Sequence, residues 1–485
     1  MYSVNLPEVP HDLYKYLLDS HWTWIQPLYN MVYRPAFVRD MGDNPEGGQY
    51  FSPFLLHAIL AHSTRFCRDQ PAMAGYEGFS DYFWRKARTM LVEELDKAST
   101  VATVQGLLLL SAIENSRGNV SQSWTYSGMA FRMLQDLGIH LDGASQASDG
   151  RFSEEDLEVR RRLWWSAFLW DKMISIYFGR TPTLQDSPLA PPTILVDDST
   201  ESEPWIPIGA ADTSLTLGGV PGVPGHGVSC FVGACRMAEV LHRVLMRHYC
   251  DSTARAVVER QDCDLMRDTI ALLDDLAPHL RARPETFAPH HIIVLNCLIH
   301  AVIVLAHRPF CGAGAPGPGH SPSPAASSAM KRCMTSARAI NALAGNIRRT
   351  YGFCKFAAVG YSLWTAATVF VLDIKSSRPA TATDSMSQLD VSRELLNGVA
   401  QFCPGIRQAI IALDYQIDHL LPDRTRSDNV SGFVDPSAFL RAVPQSQLPV
   451  APVGEASNVV TDFGQAPDLL SELFHSGFLT QTPFQ

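Results

Sequence analysis

Residues 160–182 read RRRLWWSAFLWDKMISIYFGRTP. At 100° per residue, Leu163, Trp164, Ala167, Phe168, Ile174 and Phe178 fall on one face. That spacing predicts a helix with an apolar stripe turned to a core. Asp171 lies in the middle of the stripe. A carboxylate there is costly unless it is paired and hydrogen-bonded. Arg180, in the turn Gly179-Arg180-Thr181-Pro182, is the candidate partner. The pair is expected to staple the helix C-terminus to its exit loop, with ligand binding as the alternative role.

Helical periodicity extends in both directions from this segment. Patterns with helical spacing run over 11–32, 53–66, 80–97, 99–113 and 121–137. They continue over 153–178, 228–249, 256–280, 289–307, 325–346, 352–374 and 391–419. Pro53 suits a first helical position, Ser80 an N-cap, and Glu93 stands four before Lys97. Ser153 with Asp156 forms a weak capping box, and Gly138 follows a helix end. Long β-type alternation is absent. The expected fold is all-α, a large multi-helix domain of antiparallel helix pairs. It occupies 1–421 and is interrupted by irregular loops at 181–227 and 312–324. From residue 422 the chain turns polar and Pro-rich, and a disordered tail is expected over 422–485.

The chain has 485 residues, 46% hydrophobic and 18% charged, with a formal net charge of -10. At about 150 residues per domain this allows about three domains or one large helical one. The apolar fraction supports a sizeable core. The acidic balance argues against gripping nucleic acid through clustered Lys and Arg. None of the ten cysteines are spaced C-x-x-C, and they are too sparse for a disulfide scaffold. The N-terminal MYSVNLPEVPHDLYKY has neither the basic nor the apolar part of a secretory signal. Phe356 to Leu372 is uncharged and 17 residues long, at the lower limit of a membrane span. Gly360, Ser362, Thr365 and Thr368 favour a buried core helix instead, so no membrane partner is expected.

The catalytic signatures fail on context. Residues 312–317 spell G-x-G-x-x-G, but they follow a helical pattern rather than a strand, and they contain Pro316. No P-loop, H-E-x-x-H or G-x-S-x-G occurs. A helical chain of this size admits a terpene-cyclase reading, in which Asp197, Asp198 and Glu201 (D-D-x-x-E) would hold Mg²⁺ and a diphosphate. They lie between Pro192 and Pro204 without helical period, and a solvated acidic loop is the favoured reading. His291, His300 and His307 share a helical segment without the further ligands zinc needs. No catalytic residue and no metal ligand is therefore assigned.

Several pieces in order resemble the fungal-specific transcription factor domain, the helical middle region of fungal binuclear zinc cluster regulators. The signature helix is matched by Arg160-Arg161-Arg162-Leu163-Trp164-Trp165, Asp171 and Gly179-Arg180-Thr181-Pro182, with Thr181 inserted into the family's G-R-P. Trp124, Gly128, Ala130 and Arg132, then Leu137-Gly138-Ile139-His140, resemble the family's preceding helix and leucine-glycine turn. His307-Arg308-Pro309-Phe310 matches its H-R-P-F, and Cys333 to Ala337 its C-x-x-A-A region. The resemblance covers roughly residues 10–420 and is strongest to the branch with xylanolytic and nitrate-assimilation activators. It implies a nuclear regulator of RNA polymerase II transcription, not an enzyme, in which the domain controls activity and association. Targets in a metabolic or biosynthetic gene cluster fit that branch. The family's zinc cluster and basic linker normally precede this domain, and Met1 stands almost at its start. Zinc and direct DNA contact are therefore expected only from a preceding segment or a partner.

The tail adds a separate hint. Over 461–479 (TDFGQAPDLLSELFHSGFL), Leu469, Leu470, Leu473 and Phe474 form an apolar strip on a helix, beside Asp468 and Glu472. Acidic–hydrophobic segments of this kind fold into coactivator grooves. A coactivator, a partner regulator or a dimer mate is the implied partner. The competing reading is a helical enzyme or small-molecule-binding protein derived from this fold, with Asp197 and Asp198 as first suspects.

Overall fold

Helix boundaries follow local chemistry. Thr100 accepts from the Thr103 N–H at 3.1 Å, opening one helix, and Gly118 closes it at φ +86°. Ser153 makes a full capping box: its Oγ accepts from the Asp156 N–H at 3.1 Å, and Asp156 Oδ2 accepts from the Ser153 N–H at 2.9 Å. The aspartate reaches back as a glutamate does, so this box is stronger than its sequence implies.

The computed structural model describes residues 6, 8–67, 73–142, 151–208, 222–250, 262–311, 323–352, 354–376 and 382–420. In chain order, α1 (His11–Ser20) runs through a π turn (His21–Ile25) into α2 (Gln26–Tyr29). Then come α3 (Arg34–Asp43), α4 (Pro53–Cys67), α5 (Phe79–Leu95), α6 (Val101–Arg117), α7 (Val120–Asp136) and α8 (Glu154–Phe178). The second half contains α9 (Gly227–Val244), α10 (Asp262–Asp274), α11 (His290–His307), α12 (Pro324–Tyr351), α13 (Ala357–Ser376), α14 (Thr383–Phe402) and α15 (Arg407–Leu420). The described strands are β1 (Pro204–Trp205) and β2 (Val223–Pro224), paired antiparallel with Trp205 opposite Val223. The fold is all-α, helices packed on helices around one apolar core that runs from Val9 to Leu413.

Consecutive helices pack as pairs, α4 on α5, α6 on α7, and α11 through α14 in succession. α8 lies among α2, α6, α7 and α9. The two halves meet backbone to backbone: a Cβ on Gly405 would stand 2.7 Å from the Asn115 carbonyl oxygen, which only glycine permits. His290–Phe310 and Ala357–Lys375 are long and apolar enough to cross a membrane, but 83% and 72% of their apolar windows are buried in this core.

Several expected details differ. Every residue of α8 from Arg162 to Ile176 is buried, so it has no single apolar stripe; it is a central helix touched on all sides. The 352–374 pattern is two pieces, because Gly352 ends α12 at φ +76° and α13 starts only at Ala357. The 391–419 pattern is cut at Cys403-Pro404, since proline cannot donate to the helix, and α14 begins earlier, at Thr383. Within 256–280 the described helix spans Asp262–Asp274, and Pro278 starts a separate 3₁₀ turn. α5 begins at Phe79 behind Gly78, so Ser80 is not its N-cap; the Ser80 hydroxyl accepts from Thr64 instead, at 3.1 Å. Lys97 pairs with Glu94 at 2.9 Å, one residue nearer than Glu93. Residues 209–221 of the first loop, 312–322 of the second, and the whole of 421–485, including 461–479, lie outside the described residues.

The interior holds histidines that favour the neutral form. Burial pushes His21 and His290 down to about 3, and His62 well below its ordinary value. Their folded values lie below the unfolded value of about 6.5, so the unfolded chain takes up protons first. Stability is expected to be full above pH ~6.5 and to fall as pH drops toward ~3, by up to about 1.4 kcal/mol per pH unit for each histidine. Urea unfolding at pH 7 and pH 5 checks this, and equal midpoints would refute it.

Candidate functional site

α8 is long and central, and its buried charged groups find partners in distant chain, whereas the Trp164 indole and the Ser175 and Tyr177 hydroxyls are buried without hydrogen bonds. Arg162 donates through Nε to Glu158 Oε1 (2.7 Å), through Nη1 to Asn30 Oδ1 (2.9 Å) and through Nη2 to the Asp197 carbonyl (2.7 Å). Glu158 Oε2 in turn accepts from the Val196 N–H at 2.9 Å. Arg160 donates to the Leu137 carbonyl at 2.8 Å, tying the leucine-glycine turn to the signature helix. Arg161 donates to the Ile194 carbonyl at 3.4 Å. Trp165 donates to the Pro191 carbonyl at 3.1 Å. Trp164 is buried against Phe168. The loop after α8 is therefore strapped along its side by hydrogen bonds to its own backbone.

Asp171 does not pair with Arg180. Its carboxylate sits 2.7 Å from the Nζ of its neighbour Lys172, and both side chains are 0% exposed. Asp171 also accepts the Thr183 and Leu184 N–H groups at 3.0 and 2.9 Å, and Lys172 donates to the Leu184 carbonyl. The Lys172 ammonium lies 3.9 Å from the Phe168 ring centre. Arg180 points the other way and stacks over Trp124 at 4.9 Å. The staple to the exit loop exists, but backbone amides and Lys172 form it. Gly179 takes φ +62° to make the turn, and Pro182 is buried beneath it. Adjacent residues on a helix point about 100° apart, so spacing gave no sign that Asp171 and Lys172 meet.

His307-Arg308-Pro309-Phe310 ends α11. His307 is buried, Arg308 donates to Thr368 Oγ1 at 2.9 Å, Pro309 is exposed, and Phe310 packs edge-on to His248. This group joins α11 to α13 rather than forming a site with α8. The D-D-x-x-E carboxylates also separate. Asp197 accepts from the Ser199 N–H at 2.9 Å, whereas Glu201 joins His226 and Ser229.

Behind α8 lies a cavity of about 30 Å³ that no sequence motif announced. On that scale one water needs roughly 10–15 Å³, so it has the bulk of a carboxylate head or a small oxyanion. Its polar lining is Tyr29 of α2, His62 and Arg65 of α4, Asn115 of α6, and Trp170 and Tyr177 of α8. Arg65 Nη2 donates to His62 Nε2 at 3.2 Å. His62 is neutral through burial and the nearby Arg65 charge, so its proton is on Nδ1. Burial pushes Tyr29 up to about 12 and Tyr177 well above 10, which keeps both phenols protonated. Arg65 Nε, His62 Nδ1 and the Tyr177 hydroxyl are buried without hydrogen-bond partners. Among the described residues Arg65 forms no ion pair. Two obligate donors and a phenol with a proton to give, carried by residues that line one cavity, are the groups that bind an anion.

The resemblance also implies a thiolate zinc cluster, which this chain's cysteines do not fit. No pair is spaced C-x-x-C, and most described thiols are buried in separate helices, with burial pushing Cys354 up to about 12. Cys311 and Cys333 approach to 3.7 Å.

Removing Asp171 leaves the Lys172 ammonium buried without a counter-charge. Asp171→Ala is expected to cost about 3–5 kcal/mol, and Asp171→Ala with Lys172→Met to recover most of it. Arg180→Ala removes only a cation–π contact, worth about 0.5–1 kcal/mol at exposed sites. Urea melts of the three proteins check the order.

Residues 18–212 match the profile of the fungal specific transcription factor domain, a span that includes α8 and its strap. The nitrogen assimilation transcription factor nirA of Emericella nidulans is 26% identical over 400 residues, covering 75% of this chain and 40% of that protein. The nitrogen assimilation transcription factor nit-4 of Neurospora crassa is 26% identical over 380 residues, 74% of this chain and 33% of that protein. An uncharacterized transcriptional regulatory protein of Schizosaccharomyces pombe is 29% identical over 287 residues, 58% and 45% of the two chains. The chain thus spans less than half the length of these curated relatives. No solved structure matches it. Residues 18–212, which hold the buried signature helix, are thus similar to the fungal specific transcription factor domain.

Proposed function

We propose that this chain acts in the nucleus as part of a fungal transcriptional regulator. It works by binding rather than catalysis. The match over residues 18–212, with relatives named as transcription factors, is the observation that supports this reading. Residues 1–421 form the regulatory domain and residues 461–479 recruit a coactivator. DNA is reached through a preceding segment or a partner regulator, in a homo- or heterodimer. The chain shuttles between cytoplasm and nucleus, and its targets are genes of a metabolic or biosynthetic cluster.

The Arg65 cavity makes the small-molecule reading part of the same function. A small carboxylate or oxyanion effector meets the guanidinium, the His62 N–H and the Tyr177 hydroxyl there, between α4 and α8. Binding would tighten the contact between the signature helix and the rest of the domain.

Fusing the chain to a heterologous DNA-binding domain tests the first reading. Reporter expression is expected to rise, and to be lost when 461–479 is deleted; unchanged output would remove the tail from the proposal. A thermal-shift screen of small carboxylates and inorganic oxyanions tests the second. A bound anion is expected to raise the unfolding temperature, and Arg65→Met to abolish the rise. A rise that survives in Arg65→Met would refute the cavity.

A further inference from the structure

Glu201 was singled out as an acidic residue of a possible magnesium motif, yet its carboxylate belongs to a different set. Glu201 precedes β1, His226 follows β2 at the start of α9, and His279 sits in the 3₁₀ turn Pro278–Leu280. Three stretches far apart in sequence thus bring one carboxylate and two imidazoles together. His226 Nδ1 is 3.0 Å from Glu201 Oε1, and His279 Nε2 is 3.9 Å from the same oxygen. One ligand atom from each residue lies within 4.8 Å of the others. The two imidazole rings stack at 4.2 Å with 30° between their planes.

We propose that Glu201, His226 and His279 form a binding site for a divalent transition metal, with Zn²⁺ as the reference ion. Zinc bonds to nitrogen and carboxylate oxygen at about 2.0–2.1 Å, so tetrahedral ligand atoms stand about 3.3–3.4 Å apart. The observed 3.0 and 3.9 Å bracket that edge. His279 is 41% exposed, and rotation of its side chain brings the second ring nitrogen into register. Glu201 and His226 need no such movement. The β1–β2 ladder fixes their spacing, the His226 N–H donates to the Glu201 carbonyl at 2.9 Å, and the Ser229 N–H holds Glu201 Oε2 at 2.9 Å. The Ser229 hydroxyl donates to Oε1. Outer hydrogen bonds of this kind orient a metal-ligating carboxylate.

Two imidazoles and a carboxylate, with no thiolate, favour zinc or another borderline ion over magnesium. This site has no cysteine and is unrelated to a binuclear thiolate cluster. In the fold such a metal is a clasp: it would tie the strap after α8 to α9 and to the turn before α11.

The test uses the full chain with ZnCl₂ as probe, after removal of bound metal with a chelator. Zinc in about 100-fold excess over its dissociation constant is expected to raise the unfolding temperature by a few degrees. His279→Ala, at an exposed position, is expected to leave the metal-free unfolding temperature unchanged and to abolish the zinc-dependent rise. Glu201→Gln keeps the Ser229 contacts and should lose at least tenfold in zinc affinity by calorimetry. Absence of a rise in the wild-type chain overturns the proposal, as does a rise retained in His279→Ala. Cobalt substitution separates this site from the thiols: a spectrum without a sulfur-to-cobalt band supports it, and one with that band overturns it. None of these outcomes depends on transcriptional activity, so they stand apart from the reading above.

Discussion

A helix buried on all sides must satisfy the charges it carries, and α8 carries several. Glu158, Arg162, Asp171 and Lys172 are all buried, as are Ser166 and the Trp170 indole. Isolated charges at such depth are too costly to keep. The fold meets this constraint by laying irregular chain along the helix. Residues 183–184 cover Asp171 and Lys172, residues 191–197 cover Trp165, Arg162 and Glu158, and Asn30 closes the far side. A loop rich in proline and acidic residues is therefore a structural element. Its backbone N–H and C=O groups act as the partners that another helix would lack.

The same demand explains why the functional features lie beside α8. Trp170 and Tyr177 are seven residues apart and both reach the Arg65 cavity. Trp170 donates to Ser111 and Ser127 at 3.1 and 2.9 Å, which anchors α8 to α6 and α7. The cavity thus adjoins the interface that holds the signature helix. Glu201 follows the strap, so the proposed metal site lies at the end of the same loop. An anion at Arg65 and a metal at Glu201 would act on two faces of one structural unit.

Much of the fold was legible because its elements are local. Helical period, the Thr100 and Ser153 caps, and the glycines after α6, α7 and α8 depend on residues a few positions apart. The failures were also local in origin. Pattern continued across Gly352 and Cys403-Pro404 because the apolar spacing on either side happens to match. The candidate site was legible only in part. The composition of 160–182 identified the helix that matters, but the Asp171 partner depended on side-chain direction around the helix and on amides twelve and thirteen residues away. Arg65 gave no signal at all, since its significance is that no carboxylate among the described residues pairs with it in three dimensions.

Taken alone, the order of helices and the residues of the signature helix determine the all-α class and the family. Those properties follow from period, capping and residue identity, which are written along the chain. Tertiary structure decided everything that depends on convergence. It set Lys172 rather than Arg180 against Asp171, gathered unpartnered donors from α4 and α8 around Arg65, and brought Glu201 to His226 and His279. The physical reason is that charge, desolvation and ligand geometry act over a few ångströms of space, whatever the distance in sequence.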